Sequence, residues 1–154
     1  MKEESRKKLF HRLEILLFMV YLGVLCYLLF FADSMGRTYA ERTYHYNLIP
    51  FREIRRFWVY RESLGFWFVT LNLAGNVAAF LPFGIFLPRL YPKCRKFLLT
   101  MLFSFEFSLF VETTQLVSKV GSFDVDDILL NTLGGVFGFC IYRIYHKLTG
   151  KKDR

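Results

Sequence analysis

Apolar residues fall into four long runs, Leu13 to Ala32, Leu64 to Leu87, Phe97 to Val117 and Ile128 to about Tyr145, divided by segments rich in Lys, Arg, Asp, Asn and Gly. Each run reaches or approaches the roughly 20 residues that carry an α-helix across about 30 Å of hydrocarbon. The pattern therefore predicts an all-α fold, an integral membrane four-helix bundle forming a single domain. Between the first two runs, Phe51, Ile54, Phe57 and Trp58 recur at helical spacing with Arg52, Arg55 and Arg56 between them, and Pro50 suits a helix start. That spacing predicts a short amphipathic helix lying in the membrane interface.

Composition agrees with a membrane protein: 54% of the 154 residues are hydrophobic and 19 are phenylalanine. The first run is too long for the core of a cleavable signal, and no small-x-small site follows in Phe30-Phe31-Ala32-Asp33-Ser34, so it is expected to stay attached. Lys and Arg number five before the first span, six in the 33–63 connection, four in 88–96, one in 118–127 and five from Arg143 onward. Fourteen thus fall on the side of the termini and seven opposite. The excess predicts that both termini are cytoplasmic. The net charge of +8 then reads as topology and contact with anionic headgroups, not as a nucleic-acid patch, which would gather on one soluble face.

The basic residues of the 33–63 connection are Arg37, Arg42, Arg52, Arg55, Arg56 and Arg61, with no lysine among them. Arginine binds phosphate bidentately, so one reading of Arg52, Arg55 and Arg56 is capture of a phosphate-bearing lipid or lipid-linked molecule. The other is anchoring to headgroups by snorkelling side chains. Cys26, Cys94 and Cys140 show neither disulfide nor metal spacing, and His11, His45 and His146 are scattered. No serine elbow, P-loop or dinucleotide fingerprint is present, no metal site is assigned, and no cofactor is identified.

Polar groups inside the apolar runs carry the candidate chemistry, because an intramembrane ionisable residue is costly unless it faces protein or water. In the second run Asn72, Gly75, Asn76 and Ala79 share a helical face that is small and polar and should meet another helix. In the third, Ser108, Glu112, Gln115 and Lys119 form a stripe. Glu106 stands about 120° around the helix from Glu112 and near mid-membrane. It is expected to be buried, neutral and hydrogen-bonded to Asn72 or Asn76, with proton coupling by Glu106 and Glu112 as an alternative. Gly121-Ser122 makes a turn, and Asp124 with Asp127 resembles a capping pair opening the last helix. Asp127 and Asn131 share a face with Gly134, Gly135 and Gly138, which can approach the third span closely. Capping explains one or two aspartates. It does not explain Asp124, Asp126 and Asp127 converging with Glu112, Gln115 and Asn131, a set that can hold a hydrated cation, orient a proton, or pair with the arginines.

Asn47-Leu48-Ile49-Pro50-Phe51, Asn72-x-x-Gly75-Asn76-x-x-x-Phe80-x-Pro82-x-Gly84, Glu112-x-x-Gln115 and the run Ser122 to Gly135 together resemble the VanZ-like family of small membrane proteins, over about residues 44–142. The resemblance implies a bacterial cytoplasmic membrane protein and a link to teicoplanin resistance. One departure is that many relatives carry an arginine just before the Phe-Asp segment, where this chain has Gly121-Ser122, with Lys119 the nearest base. Two functions follow as expectations. In the first, an outward-facing polar site made by Asn47, Asn72, Asn76, Gln115, Asp124, Asn131 and the acids, with Arg52, Arg55 and Arg56, binds an envelope lipid, a lipid-linked cell-wall precursor or a lipoglycopeptide antibiotic. In the second, an intramembrane hydrolase or transferase uses Glu112 as general base and Asp126 or Asp127 as acid on a phosphate- or glycosyl-bearing lipid.

Overall fold

In the computed structural model, which describes residues 2–31 and 44–150, the chain is almost wholly helical. The elements in order are α1 (Lys2–Phe31), β1 (Tyr46–Asn47), α2 (Arg52–Val59), α3 (Arg61–Leu64), α4 (Phe66–Leu90), a 3₁₀ turn (Pro92–Arg95), α5 (Phe97–Ser118), β2 (Phe123–Asp124) and α6 (Val125–Thr149). Four of these, α1, α4, α5 and α6, are long and apolar enough to cross a membrane, so the protein is a multi-pass membrane protein. Arg37 and Arg42 lie outside the described residues. Helix α2 falls in this segment, but of the expected apolar face only Ile54 and Phe57 are half-buried, while Phe51 and Trp58 are exposed like Arg52, Arg55 and Arg56.

The tightest packing joins α4 to α6. A side chain on Gly84 would strike the backbone of Gly135, and one on Gly138 would strike the carbonyl of Leu81 and the backbone of Gly84. Only glycine allows helices to meet backbone to backbone, which is how membrane helices associate when lipid offers no hydrophobic drive. Two expectations change here. The glycine face of α6 meets mainly α4; of its members, Gly135 faces Ser104 of α5 as well. Gly75 has open space around it and Asn72 is exposed, so the close-packing glycine of α4 is Gly84. The spacing of Asn72, Gly75 and Asn76 identified a shared face correctly, but spacing cannot say which face meets a neighbour.

Helix α5 buries a polar stripe, Thr100, Ser104, Ser108, Glu112 and Gln115, against the bundle. Small hydroxyls fit there because each has a partner close by: Ser104 donates to Thr100 O at 2.8 Å, Thr100 donates to Cys94 O, and Ser108 accepts from Asn131. Glu106 lies on the other side of α5 and is exposed. This overturns its expected burial: Asn76 donates instead to Asp127, and Asn72 to Phe68 O at 2.8 Å. Helix α1 is the least covered of the four long helices. Phe18 packs into a cluster with Phe83, Leu87 and Cys94, the Tyr21 hydroxyl donates to Ala79 O at 2.7 Å, and Arg89 pairs with Glu14.

Candidate functional site

The polar groups gather at the end of the bundle where α1 and α5 finish and α4 and α6 begin. There the chain makes an element that periodicity does not foretell: β1 and β2 pair in parallel, Tyr46 beside Phe123 and Asn47 beside Asp124. The Phe123 N–H donates to His45 O at 3.1 Å. This two-residue ladder clamps the segment before α2 onto the turn before α6.

Each aspartate of the turn has a separate task. Asp124 caps α6, its Oδ1 accepting from the Asp126 N–H at 2.8 Å and from Asn47 Nδ2 at 3.1 Å. The partner of its cap is therefore Asp126, not Asp127. Burial pushes the Asp124 carboxyl above its usual range, and the two donors partly offset the rise. Asp126 is buried and reaches the start of α2, where its Oδ1 accepts from the Phe51 N–H and its Oδ2 from Glu53 N–H at 2.8 Å and Ile54 N–H at 3.1 Å. A helix leaves its first N–H groups without internal partners, and Asp126 supplies the missing acceptor from 75 residues away in sequence. Phe51 adopts a left-handed backbone, φ 64°, a conformation costing an L-residue roughly 1–2 kcal/mol. The bond to Asp126 holds it there. Asp127, by contrast, turns toward α4 and accepts from Asn76.

Above these groups lies a cavity of about 640 Å³. Its polar wall comprises Asn72, Asn76, Glu112, Gln115, Asp124, Asp126 and Asp127 from the spans and turn, with Glu53 and Arg56 from α2. Its apolar wall includes Leu28 and Leu29 of α1 and Ile54 and Phe57 of α2. Glu112 is nearly fully buried, its Oε2 accepting from the Asp124 N–H at 3.1 Å. Gln115 donates to Leu29 O at 2.7 Å and so ties the end of α1 to the rim. Among the described residues, the acids of this lining outnumber the bases, with Arg56 as the base, itself paired to Glu53 at 2.7 Å.

The remaining sequence candidates lie apart from the cavity. Asn47 sits behind its wall, bonded to Asp124. Asn131 is buried deeper between helices, donating to Ser108 Oγ at 3.0 Å. Arg52 and Arg55 line a shallow outer depression with Ile49, Phe51 and Tyr60. The Lys119 ammonium sits over the Tyr44 ring at 4.5 Å. Sequence reading missed Glu53, Leu28 and Leu29. Glu53 was visible only as an acid among arginines, and the leucines look like any others in an apolar helix.

Comparison with known proteins accords with this arrangement. The family model described as VanZ/LLP1 matches residues 18–146, reaching into α1 beyond the motifs themselves. The chain is 31% identical over 81 residues to Protein VanZ of Enterococcus faecium, an alignment covering 53% of this chain and 50% of that protein. It thus spans about half the length of the curated relative it matches. No solved structure matches. With most of its length matched, from the first apolar helix through the glycine face of the last, the chain belongs to the VanZ/LLP1 family.

Proposed function

We propose that the cavity receives the head of an amphiphilic envelope molecule: a membrane lipid, a lipid-linked cell-wall precursor or a lipoglycopeptide antibiotic. The observation that carries this reading is the mixed lining, acids and amides from α4, α5 and α6 beside apolar side chains such as Leu28, Leu29, Leu73 and Leu130. A molecule with a hydrogen-bonding head and a hydrocarbon tail satisfies both kinds of lining at once. The acids favour an amine- or hydroxyl-bearing head, while Arg56 at the α2 side and Arg52 and Arg55 outside it suit a neighbouring phosphate. In this reading α2 lies at the outer membrane surface, both termini face the cytoplasm, and the membrane is the bacterial cytoplasmic one. The kinship with Protein VanZ extends the proposal to glycopeptide, and specifically teicoplanin, resistance.

The alternative of an intramembrane hydrolase or transferase draws less support, because the Asp126 oxygens already accept three backbone N–H groups and Glu112 accepts one. The test is native mass spectrometry of protein in nanodiscs offered envelope lipids, lipid-linked precursor and teicoplanin. Wild type should retain one of them, and Glu112→Gln with Asp127→Asn should weaken it roughly tenfold, about what two hydrogen bonds contribute. Undiminished binding by that double variant, or turnover of the bound lipid, overturns the proposal.

A further inference from the structure

Helix α5 has two opposite faces, and the uncovered one carries an acid at its centre. Glu106 is the tenth of the 22 residues of Phe97–Ser118, which puts it near the middle of the hydrocarbon. Around it at helical spacing stand Leu102, Phe103, Leu109, Phe110 and Thr113, all exposed. At 100° per residue this face points directly away from the buried stripe of Thr100, Ser104, Ser108 and Gln115. Among the described residues, no neighbour buries Glu106. A carboxyl group facing acyl chains at mid-membrane is strongly disfavoured, and such groups almost always turn toward protein or water.

We infer that this face of α5 pairs with the same face of a second copy of the chain. Copies inserted in one membrane share one orientation, so their α5 helices meet in parallel about a two-fold axis along the membrane normal. Leu99, Leu102, Glu106, Leu109 and Thr113 follow one another at spacings of three, four, three and four, the seam along which parallel helices interdigitate. In such a pair, residues of the same seam position face each other, so Glu106 meets Glu106 and Thr113 meets Thr113. Two carboxyl groups in hydrocarbon satisfy each other, an O–H of one donating to the carbonyl oxygen of the other, and interhelical polar contacts of this kind hold membrane helices together. The single polar layer also fixes register, since any slide along the seam would set an acid against leucine. This pairing is independent of what the cavity binds.

The experiment is subunit counting by photobleaching in liposomes at fixed protein-to-lipid ratio, with a photo-crosslinking residue placed either at Phe110, on the proposed face, or at Phe137, exposed on α6. Dimers cross-linked from position 110 and not from 137 are expected. Glu106→Leu, which leaves the core untouched, should weaken self-association roughly tenfold, and Glu106→Gln, which still donates and accepts, should retain it. A monomeric wild type, dimers cross-linked through position 137, an undiminished Glu106→Leu dimer, or labelling of only lipid or another protein from position 110 would each overturn the inference.

Discussion

Helices α6 and α1 both lie against α4, yet by opposite means. Against α6, α4 sets backbone on backbone, glycines at Gly84, Gly135 and Gly138 removing everything that would hold the helices apart. Against α1, it packs Phe83 beside Phe18, accepts the Tyr21 hydroxyl at Ala79 O, and pairs Arg89 with Glu14. The first contact is intolerant of any added atom; the second consists of replaceable side chains on a helix whose surface is mostly uncovered. The polar cavity lies toward the other end of α4, around Asn72 and Asn76, where α4 and α6 begin. Its acids and amides are carried largely by α4, α5 and α6 and the turn before α6, while α1 adds Leu28 and Leu29 to an apolar lining shared with Leu64, Leu73 and Leu130. In the proposed function, the closely packed helices hold the hydrogen-bonding groups in place and the loosely held α1 is the yielding side.

The contrast can be broken most forcefully at the glycines. Gly138→Leu should destabilise the detergent-solubilised protein by about 3 kcal/mol, the upper end of overpacking costs, because the obstruction is Leu81 and Gly84 backbone. A melting curve close to that of wild type would show that the seam can open. Asp126→Ala comes next, at about 2 kcal/mol, since it strips the acceptor from three N–H groups of the α2 start. Amide exchange should rise at Phe51, Glu53 and Ile54 while α4 and α6 stay protected; uniform loss of protection would tie the cap to the seam. Tyr21→Phe should cost only about 0.6 kcal/mol, the average for a side-chain hydrogen bond between membrane helices. If it proved as damaging as Gly138→Leu in the same melt, α1 could not be the yielding side.

The smallest effect is one of pH. Burial raises the Asp124 carboxyl in the fold, so the folded chain holds that proton more tightly than the unfolded one. The resulting stability is present below the ordinary aspartate range near pH 4 and is lost as pH rises through the raised value in the fold. Asp124→Asn keeps an oxygen for the Asp126 N–H and should flatten that part of the stability profile. A slope unchanged in Asp124→Asn would assign the dependence to another group.

The buried half of the candidate site was legible because helical spacing put Ser108, Glu112 and Gln115 on one stripe, and these three are buried, while the fourth member, Lys119, is exposed beyond the end of α5. Spacing failed where a residue's neighbour comes from a distant segment. Nothing local to Asp126 reveals that it would cap α2, and nothing local to Asn131 separates it from the cavity-lining Asp127 four residues before it. Glu106 shows the same limit from the other direction: its angle from Glu112 was read correctly, yet which side of α5 the bundle would cover was not.

By itself the sequence determined the four apolar helices and the buried polar positions of α5, because hydrophobic period and run length are properties of neighbouring residues. Only the tertiary structure decided that Gly84 and not Gly75 meets α6, that β1 lies beside β2, and that Asp124, Asp126 and Asp127 part toward three different partners. Those choices depend on which backbones can approach closely and which distant N–H groups still lack an acceptor, quantities that exist only once the helices are packed.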